Sequence, residues 1–239
     1  SFPFVFKIDP QSYSSIFEPV PNGVDKWFTG EYSTGYIFHP MTPKHIATEL
    51  PDVKIIMFLR NPVDRAYSHF VMQRRSGIEG LPFEMIVERE LEDLPKILSV
   101  FRECFNLDSC EMQDCLDGSI RVNSHSFTNI RKLPLDDPMS VKRFMFTSYI
   151  ARGIYYDQVQ RYLSSFPREN ILIVPSEDFY DNSEAVLQRI LKFIGASPFS
   201  FADTGILDST WGGGASNSHS PHDYQPIHPD TRKILNDFF

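Results

Sequence analysis

Arg60 and Ser68 are the residues whose types and spacing first suggest a binding chemistry. They belong to the run Leu-Arg-Asn-Pro-Val-Asp-Arg-Ala-Tyr-Ser-His at residues 59–69. A guanidinium group binds a phosphate through two parallel hydrogen bonds, and a nearby hydroxyl adds another. The pair therefore suggests an anion site. The alternative is an ordinary ion pair for Arg60 and a tolerated helix serine.

The elements predicted around this pair suit an anion. Residues 54–58 are mostly apolar and predict a buried strand, while Asn61 and Pro62 are typical of a helix N-cap and first helical position. We expect the helix to continue to about Arg75 and to place its N–H groups and positive dipole end where the strand finishes. One stripe of this helix should be buried: Val63, Ala66, Tyr67, Phe70 and Val71.

The rest of the chain alternates helical and strand patterns. A second buried strand is predicted at residues 171–174, and Gly195 is a predicted helix C-cap. Helices are predicted over residues 43–50, 81–105, 140–150, 153–166, 183–194 and 229–239. Such alternation favours a single-domain α/β fold with a parallel sheet flanked by helices.

Composition narrows the function classes. A net charge of −8 argues against a broad nucleic-acid-binding surface. The sequence contains no apolar stretch of 18 residues, so it predicts no membrane-spanning helix within these residues. The 21 phenylalanines favour a large aromatic core over a sugar-stacking cleft. The spacing of Cys104, Cys110 and Cys115 does not match a zinc site, and their disulfide pairing stays open.

The run at residues 59–69 closely resembles the 3′-phosphate-binding segment of sulfotransferases that use 3′-phosphoadenosine 5′-phosphosulfate (PAPS). It looks most like the carbohydrate branch, with the heparan and chondroitin enzymes. In that family the arginine and serine matching Arg60 and Ser68 hold the nucleotide's 3′-phosphate. The resemblance implies a sulfotransferase fold related to the P-loop NTPases, PAPS as co-substrate and no metal. It also implies transfer of a sulfuryl group to a hydroxyl of a carbohydrate or similar acceptor.

Two later segments resemble the family's nucleotide contacts. The first is Arg-Gly-Ile-Tyr at residues 152–155, and the second is Ala-Ser-Asn at residues 215–217. The resemblance implies that Tyr155, Ser216 and Asn217 contact the adenine or the 3′-phosphate end. An ordinary surface loop is the alternative for residues 212–217.

Glu31 is the candidate general base. Its surroundings resemble the family segment Glu-Lys-(Ser/Thr)-x-x-Tyr, whose glutamate is the proposed base, although Tyr32 replaces the lysine here. A solvated turn is the alternative for Glu31. His39 and His69 are alternative bases outside any family motif, and we expect His69 on the surface. A metal site built from His219, His222 and His228 is disfavoured because no cysteine or carboxylate spacing accompanies them.

The family's phosphosulfate loop, Lys-x-Gly-Thr-Thr, has no counterpart in residues 1–30. We therefore expect residues 1–239 to be part of a sulfotransferase domain, without its phosphosulfate-loop strand and its C-terminal end, and with a cysteine-containing insertion around residues 104–138. A catalytically incomplete module that binds PAPS or adenosine bisphosphate is the alternative function. A nucleotide kinase is disfavoured because the chain has no Gly-Lys-Ser/Thr loop.

The resemblance also suggests a compartment. It implies the Golgi lumen, with any membrane anchor outside this chain, and the cytoplasm is the alternative. The acceptor, the sulfation position and the oligomeric state are not determined by the sequence.

Overall fold

A computed structural model of the chain describes residues 15, 17–24, 26–106, 147–201 and 225–239. The chain divides into two compact units, Ser1–Ser33 and Thr34–Phe239. The helices and strands of the described residues lie in the second unit. The predicted cysteine-containing insertion falls almost entirely outside the described residues.

The second unit alternates helices and strands in chain order. In the described residues these elements are α1 (Thr42–Glu49), β1 (Ile55–Leu59), α2 (Pro62–Arg75), α3 (Phe83–Asn106), α4 (Tyr155–Ser165), β2 (Ile171–Pro175), α5 (Ser176–Asp181), α6 (Ser183–Ile194) and α7 (Pro229–Phe238). Short 3-10 turns at Ala151–Gly153 and Arg168–Asn170 precede α4 and β2.

The two strands pair in parallel, from Ile55 opposite Ile171 to Leu59 opposite Pro175. Their apolar residues, half of them β-branched, suit strands with helices packed on them. Because the strands run in the same direction and in register, both finish at the same edge of the sheet. The predicted α/β fold with a parallel sheet is confirmed.

Helix α2 begins and ends where the sequence predicts. The side chain of Asn61 accepts hydrogen bonds from the N–H groups of Val63 at 3.0 Å and Asp64 at 3.1 Å, and Pro62 holds the first helical position. The five residues of the predicted stripe are all buried. Their burial anchors the helix in the core.

Aromatic rings fill much of the interior around α2. Tyr67 and Phe70 each lie 5.1 Å from the ring of Phe83, and the Tyr149 ring lies 6.1 Å from Phe70. Such offset and edge contacts are favourable between aromatic rings. The aromatic core that the composition predicts is therefore present around this helix, although other described phenylalanines, such as Phe58 and Phe199, are exposed.

Two local predictions were wrong. Residues Ser148–Ile150 are not helical, because the backbone N–H of Tyr149 is bound by a side chain rather than by a helix carbonyl. His69 is half-buried rather than on the surface. Its ring lies 4.9 Å from that of Tyr149, and its Nε2 atom lies 3.2 Å from the Gln73 amide nitrogen.

The end of α6 follows prediction. Gly195 adopts a φ of 74°, and its N–H binds the last carbonyls of the helix. Glycine tolerates this left-handed conformation because it has no Cβ.

Candidate functional site

Arg60 lies between the end of β1 and the N-cap of α2. Its side chain is half-buried, and its backbone carbonyl accepts a hydrogen bond from the Tyr155 hydroxyl at 3.0 Å. Within the described part of the chain, its guanidinium group makes no hydrogen bond and no ion pair. Its backbone is therefore fixed, while none of the described residues uses its side-chain donors.

Ser68 lies nearly two turns into α2 and is also half-buried. It shares a helix face with Asp64, because residues four apart on a helix are neighbours. Among the described residues its hydroxyl has no hydrogen-bond partner. We call Arg60 and Ser68 the clamp pair.

The backbone N–H groups at the start of α2 are not available to an anion, contrary to the sequence prediction. The side chain of Asn61 accepts from the first two, as described above. The N–H of Asn61 itself donates to Glu177 Oε1 at 2.8 Å, and that of Arg65 donates to the Asn61 carbonyl at 2.9 Å. Positive charge for an anion must therefore come from side chains and from the helix dipole.

Tyr155 supports the clamp pair through the backbone. Its hydroxyl proton is used by the bond to the Arg60 carbonyl, and burial raises the pKa of this hydroxyl. A phenol with a raised pKa stays protonated and keeps donating at neutral pH. The structure thus places Tyr155 against Arg60, and its direct contact with a nucleotide stays a prediction.

A buried carboxylate that the sequence analysis missed fastens the segment leading to Tyr155. Glu90 accepts the backbone N–H groups of Tyr149 at 2.8 Å and Ala151 at 2.9 Å. The Gln158 amide donates to the carbonyls of Ala151, Arg152 and Ile154. Together these bonds satisfy the backbone polar groups of a buried turn.

Two arginines surround Glu90. Arg65 donates to the Tyr149 carbonyl, and Arg152 donates to the Thr34 carbonyl at 3.2 Å and lies 4.5 Å from the Phe38 ring. Burial lowers the pKa of both guanidinium groups, that of Arg152 to about 10, and the charge of Glu90 opposes this. Guanidinium groups in proteins remain protonated, so this cluster holds two positive charges beside the single carboxyl group of Glu90.

Two opposing effects act on the pKa of the Glu90 carboxyl group. Burial raises the pKa of its carboxyl group, and the backbone N–H bonds and the charge of Arg65 counteract that rise. A carboxylate accepting several N–H bonds beside arginine is a stable arrangement for a buried charge. Sequence reasoning missed Glu90 because it lies on α3, 59 residues from Tyr149.

The chain is similar to known proteins. A family model described as the sulfotransferase domain matches residues 36–211, more than half of the chain. The chain belongs to the sulfotransferase domain family. This is the family that the sequence analysis expected.

Individual relatives agree with this assignment. The chain is 26% identical over 186 residues to a bifunctional heparan sulfate N-deacetylase/N-sulfotransferase 2 of Bos taurus, covering 77% of this chain and 16% of that protein. It is 25% identical over 201 residues to carbohydrate sulfotransferase 15 of Rattus norvegicus, covering 83% of this chain and 30% of that protein. The chain thus spans less than a third of the length of these relatives.

A solved structure supports the fold. The crystal structure of a sulfotransferase from Alicyclobacillus acidocaldarius matches with a TM-score of 0.56 and 26% identity, over 97% of this chain and 67% of that chain. The predicted sulfotransferase fold is confirmed by this match together with the family model.

The matched span of the sulfotransferase domain contains Arg60, Ser68 and Tyr155. It ends before Ser216 and Asn217, which also lie outside the described residues. Glu31 precedes it. Glu31 belongs to the Ser1–Ser33 unit and is exposed in a stretch without helix or strand. Its role as base stays a prediction.

Of the two histidine alternatives to Glu31, His39 does not suit a base, and the role of His69 stays a prediction. His39 is fully buried, its Nδ1 accepts the Met41 N–H at 3.2 Å, and burial lowers its pKa to about 3. His69 packs between Tyr149 and Gln73, as described above. An acceptor hydroxyl must reach its base within hydrogen-bond distance, which full burial of His39 prevents.

The remaining predictions concern metals and membranes. His228 caps α7, with its Nδ1 accepting the Asp230 N–H at 3.4 Å, whereas His219 and His222 lie outside the described residues. Among the described residues, no group of three His, Cys, Asp or Glu side chains could hold a metal ion. In that same part of the chain, no helix is long and apolar enough to cross a membrane.

Proposed function

We propose that this domain transfers a sulfuryl group from PAPS to a hydroxyl group of a carbohydrate, and that the clamp pair binds the 3′-phosphate of PAPS. One observation carries the proposal. Among the described residues, the guanidinium of Arg60 and the hydroxyl of Ser68 make no hydrogen bond, whereas Asn61 and Arg65 beside them are committed to the protein. Half-buried donors without protein partners at a strand end are suited to a bound anion.

The surroundings favour a dianion at this position. Arg60 is held through its carbonyl by Tyr155, so a bound phosphate loses little to the ordering of this backbone. The excess positive charge of Arg65 and Arg152 over Glu90 raises the local potential although the whole chain carries −8. We propose that Arg60 binds two phosphate oxygens and that Ser68 donates to a third.

The transfer step needs an acceptor base. The acceptor oxygen attacks the sulfur, the bond between sulfur and the bridging 5′-phosphate oxygen breaks, and adenosine 3′,5′-bisphosphate leaves. Glu31 takes the hydroxyl proton. Positioning and charge stabilisation supply most of the rate enhancement in such group transfers.

The carbohydrate acceptor is proposed from the relatives, one named for heparan sulfate and another a carbohydrate sulfotransferase. The acceptor's identity and the position of sulfation stay open. The Golgi lumen as the compartment, with the cytoplasm as the alternative, stays a prediction.

Calorimetric titration with adenosine 3′,5′-bisphosphate tests the clamp pair. Arg60→Ala should weaken binding about 30-fold or more, since it removes charge-assisted hydrogen bonds. The affinity of Arg60→Lys should lie between those of the parent and Arg60→Ala, because lysine keeps the charge and loses the bidentate geometry. Arg75→Ala, at the exposed other end of α2, is the matched control and should bind like the parent.

A second ligand identifies which phosphate Arg60 binds. Adenosine 5′-phosphate lacks the 3′-phosphate, so the parent should prefer the bisphosphate and Arg60→Ala should bind both alike. If Arg60→Ala keeps the parent's preference, Arg60 does not bind the 3′-phosphate.

A sulfate-transfer assay tests the base and separates turnover from binding alone. Glu31→Gln should lower kcat about 100-fold or more while the dissociation constant of the bisphosphate stays unchanged. Glu18→Gln, another exposed carboxylate of the same unit, should leave kcat unchanged. Bisphosphate binding by the parent without transfer to any carbohydrate hydroxyl would favour the incomplete binding module.

A further inference from the structure

The C-terminal helix α7 packs against α2, the helix that carries Ser68. Arg232 on α7 forms an ion pair with Asp64 on α2, with 2.8 Å between Nη2 and Oδ1. Just before α7, the carbonyl of Gln225 accepts a hydrogen bond from the Tyr67 hydroxyl. Buried Thr231 and Leu235 hold α7 in place, so the position of Arg232 is set by the core.

The ion pair lies beside the clamp pair. Asp64 and Ser68 are four residues apart on α2, which puts their Cβ atoms about 5–6 Å apart on one helix face. A carboxylate at this distance from a bound phosphate dianion repels it, and an arginine on that carboxylate removes most of the repulsion.

The pair is poorly suited to a role in stability. The side chains of Arg232 and Asp64 are 42% and 38% exposed. Ion pairs this open to water contribute little to folding, since solvent screens them. Their effect on a bound anion is screened less, because a nucleotide on the same face excludes part of the water.

We propose that Arg232 is a positioning residue that neutralises Asp64, so that the α2 face carrying Ser68 accepts the 3′-phosphate of the nucleotide. The inference rests on the proposed function, because it names a further determinant of the same nucleotide site. Arg232 acts through Asp64 and needs no contact with the ligand.

The test is a cycle of charges measured by calorimetric titration with adenosine 3′,5′-bisphosphate. The pair is neutral in the parent, negative in Arg232→Gln, positive in Asp64→Asn and neutral again in the double variant. Affinity for the bisphosphate should rise as the net charge of the pair rises. Arg232→Gln should weaken binding about fivefold, Asp64→Asn should strengthen it about twofold, and the double variant should return to within about twofold of the parent.

A control and a second readout accompany the cycle. Lys233→Gln removes the neighbouring positive charge of α7, which pairs with Asp237 instead, and should bind within about twofold of the parent. The deficit of Arg232→Gln should shrink between low and high salt, because the charges are partly exposed. A thermal melt of each variant should match the parent, since no core contact is removed.

Each alternative role has its own signature. If the double variant binds as weakly as Arg232→Gln, Arg232 touches the ligand directly, and the inference is overturned. It is equally overturned if Asp64→Asn weakens binding, because the ion pair then serves as a tether between the helices. Unchanged affinity of Arg232→Gln overturns it as well.

The clamp variants separate this inference from the proposed function. If the parent binds the bisphosphate and Arg60→Ala does not, while Arg232→Gln binds like the parent, only the role of Arg232 fails. If the parent does not bind the bisphosphate, the proposed function fails and the role of Arg232 fails with it.

Discussion

The two strands finish side by side at one edge of the sheet, yet their ends are built from opposite charges. β1 leads through Arg60 and Asn61 into the 14-residue helix α2, whose N-terminus is capped by Asn61. β2 leads directly into the six-residue helix α5, which has no side-chain cap and carries Glu177 and Asp178 in its first turn. One strand end thus presents a cation and the other a pair of carboxylates.

The two ends are joined by one hydrogen bond, from the Asn61 N–H to Glu177 Oε1 at 2.8 Å. This bond occupies a backbone donor that would otherwise face a ligand. An anion bound at the β1 end would therefore be held by side chains. The backbone donors that make such junctions attractive are used for holding the junction together.

The largest expected effect on stability comes from replacing Glu90, whose hydrogen bonds hold the segment that leads to Tyr155 and so to the β1 end. Glu90→Gln should lower the free energy of unfolding by about 3 kcal/mol. In the glutamine side chain the amide oxygen replaces one carboxylate acceptor, but the amide NH2 group faces the second backbone N–H and cannot accept from it. Arg65 and Arg152 also lose the negative charge beside them. Chemical denaturation measures the loss, with exposed Glu88→Gln on the same helix as control. A loss below about 1 kcal/mol would show that Glu90 is not needed for this support.

Removing the cap of α2 makes the β1 end resemble the uncapped β2 end. Asn61→Ala should lower the free energy of unfolding by about 1 kcal/mol and weaken bisphosphate binding severalfold, because Arg60 is its neighbour. Asn182→Ala removes the cap of α6, where Asn182 accepts the Ala185 N–H at 3.1 Å. This control should cost similar stability and leave affinity unchanged. Equal affinities of the two variants would contradict a special role for the Asn61 cap.

Tyr155→Phe tests whether the β1 end depends on its backbone anchor. The variant deletes one hydrogen bond, worth about 1 kcal/mol, to the Arg60 carbonyl and should weaken bisphosphate binding about fivefold. Tyr156→Phe is the control, since the side chain of Tyr156 is 73% exposed. Titration calorimetry of both variants measures the difference. A parent-like affinity for Tyr155→Phe would show that this hydrogen bond does not contribute to bisphosphate binding.

The smallest expected effect on bisphosphate affinity comes from the carboxylates at the end of β2. Glu177→Gln keeps an acceptor for the Asn61 N–H and removes one negative charge, so bisphosphate should bind about twofold tighter at low salt. Asp178→Asn removes the adjacent charge, which makes no bond to Asn61 in the described structure, and should change affinity less. Weaker binding by Glu177→Gln would mean that this carboxylate organises Arg60 more than it repels the ligand.

Local patterns were enough to predict the elements around the site. Asn61, Pro62 and the buried stripe specify α2 from its first residue to its last, because capping and helical spacing act within a few residues. The same locality explains the strand at residues 55–59. The helix end at Gly195 was equally readable from its sequence.

Local patterns failed where a distant side chain decided the outcome. Residues 148–150 were expected to be helical, but Glu90 binds the backbone N–H of Tyr149 from another helix. His69 was expected at the surface, but the Tyr149 ring covers one side of it. Contacts of this kind carry no signal in the neighbouring sequence.

The sequence by itself predicted the family, through one short continuous motif, and the parallel α/β fold, through its alternation of helical and strand patterns. The clamp pair is proposed from the same motif. Only the tertiary structure decided how that pair is held. Glu177 meets Asn61 across 116 residues, Arg232 meets Asp64 across 168, and Tyr155 meets Arg60 across 95. Such partners are selected by packing in three dimensions, where burial makes an unmatched donor or charge costly, and no sequence spacing records that choice.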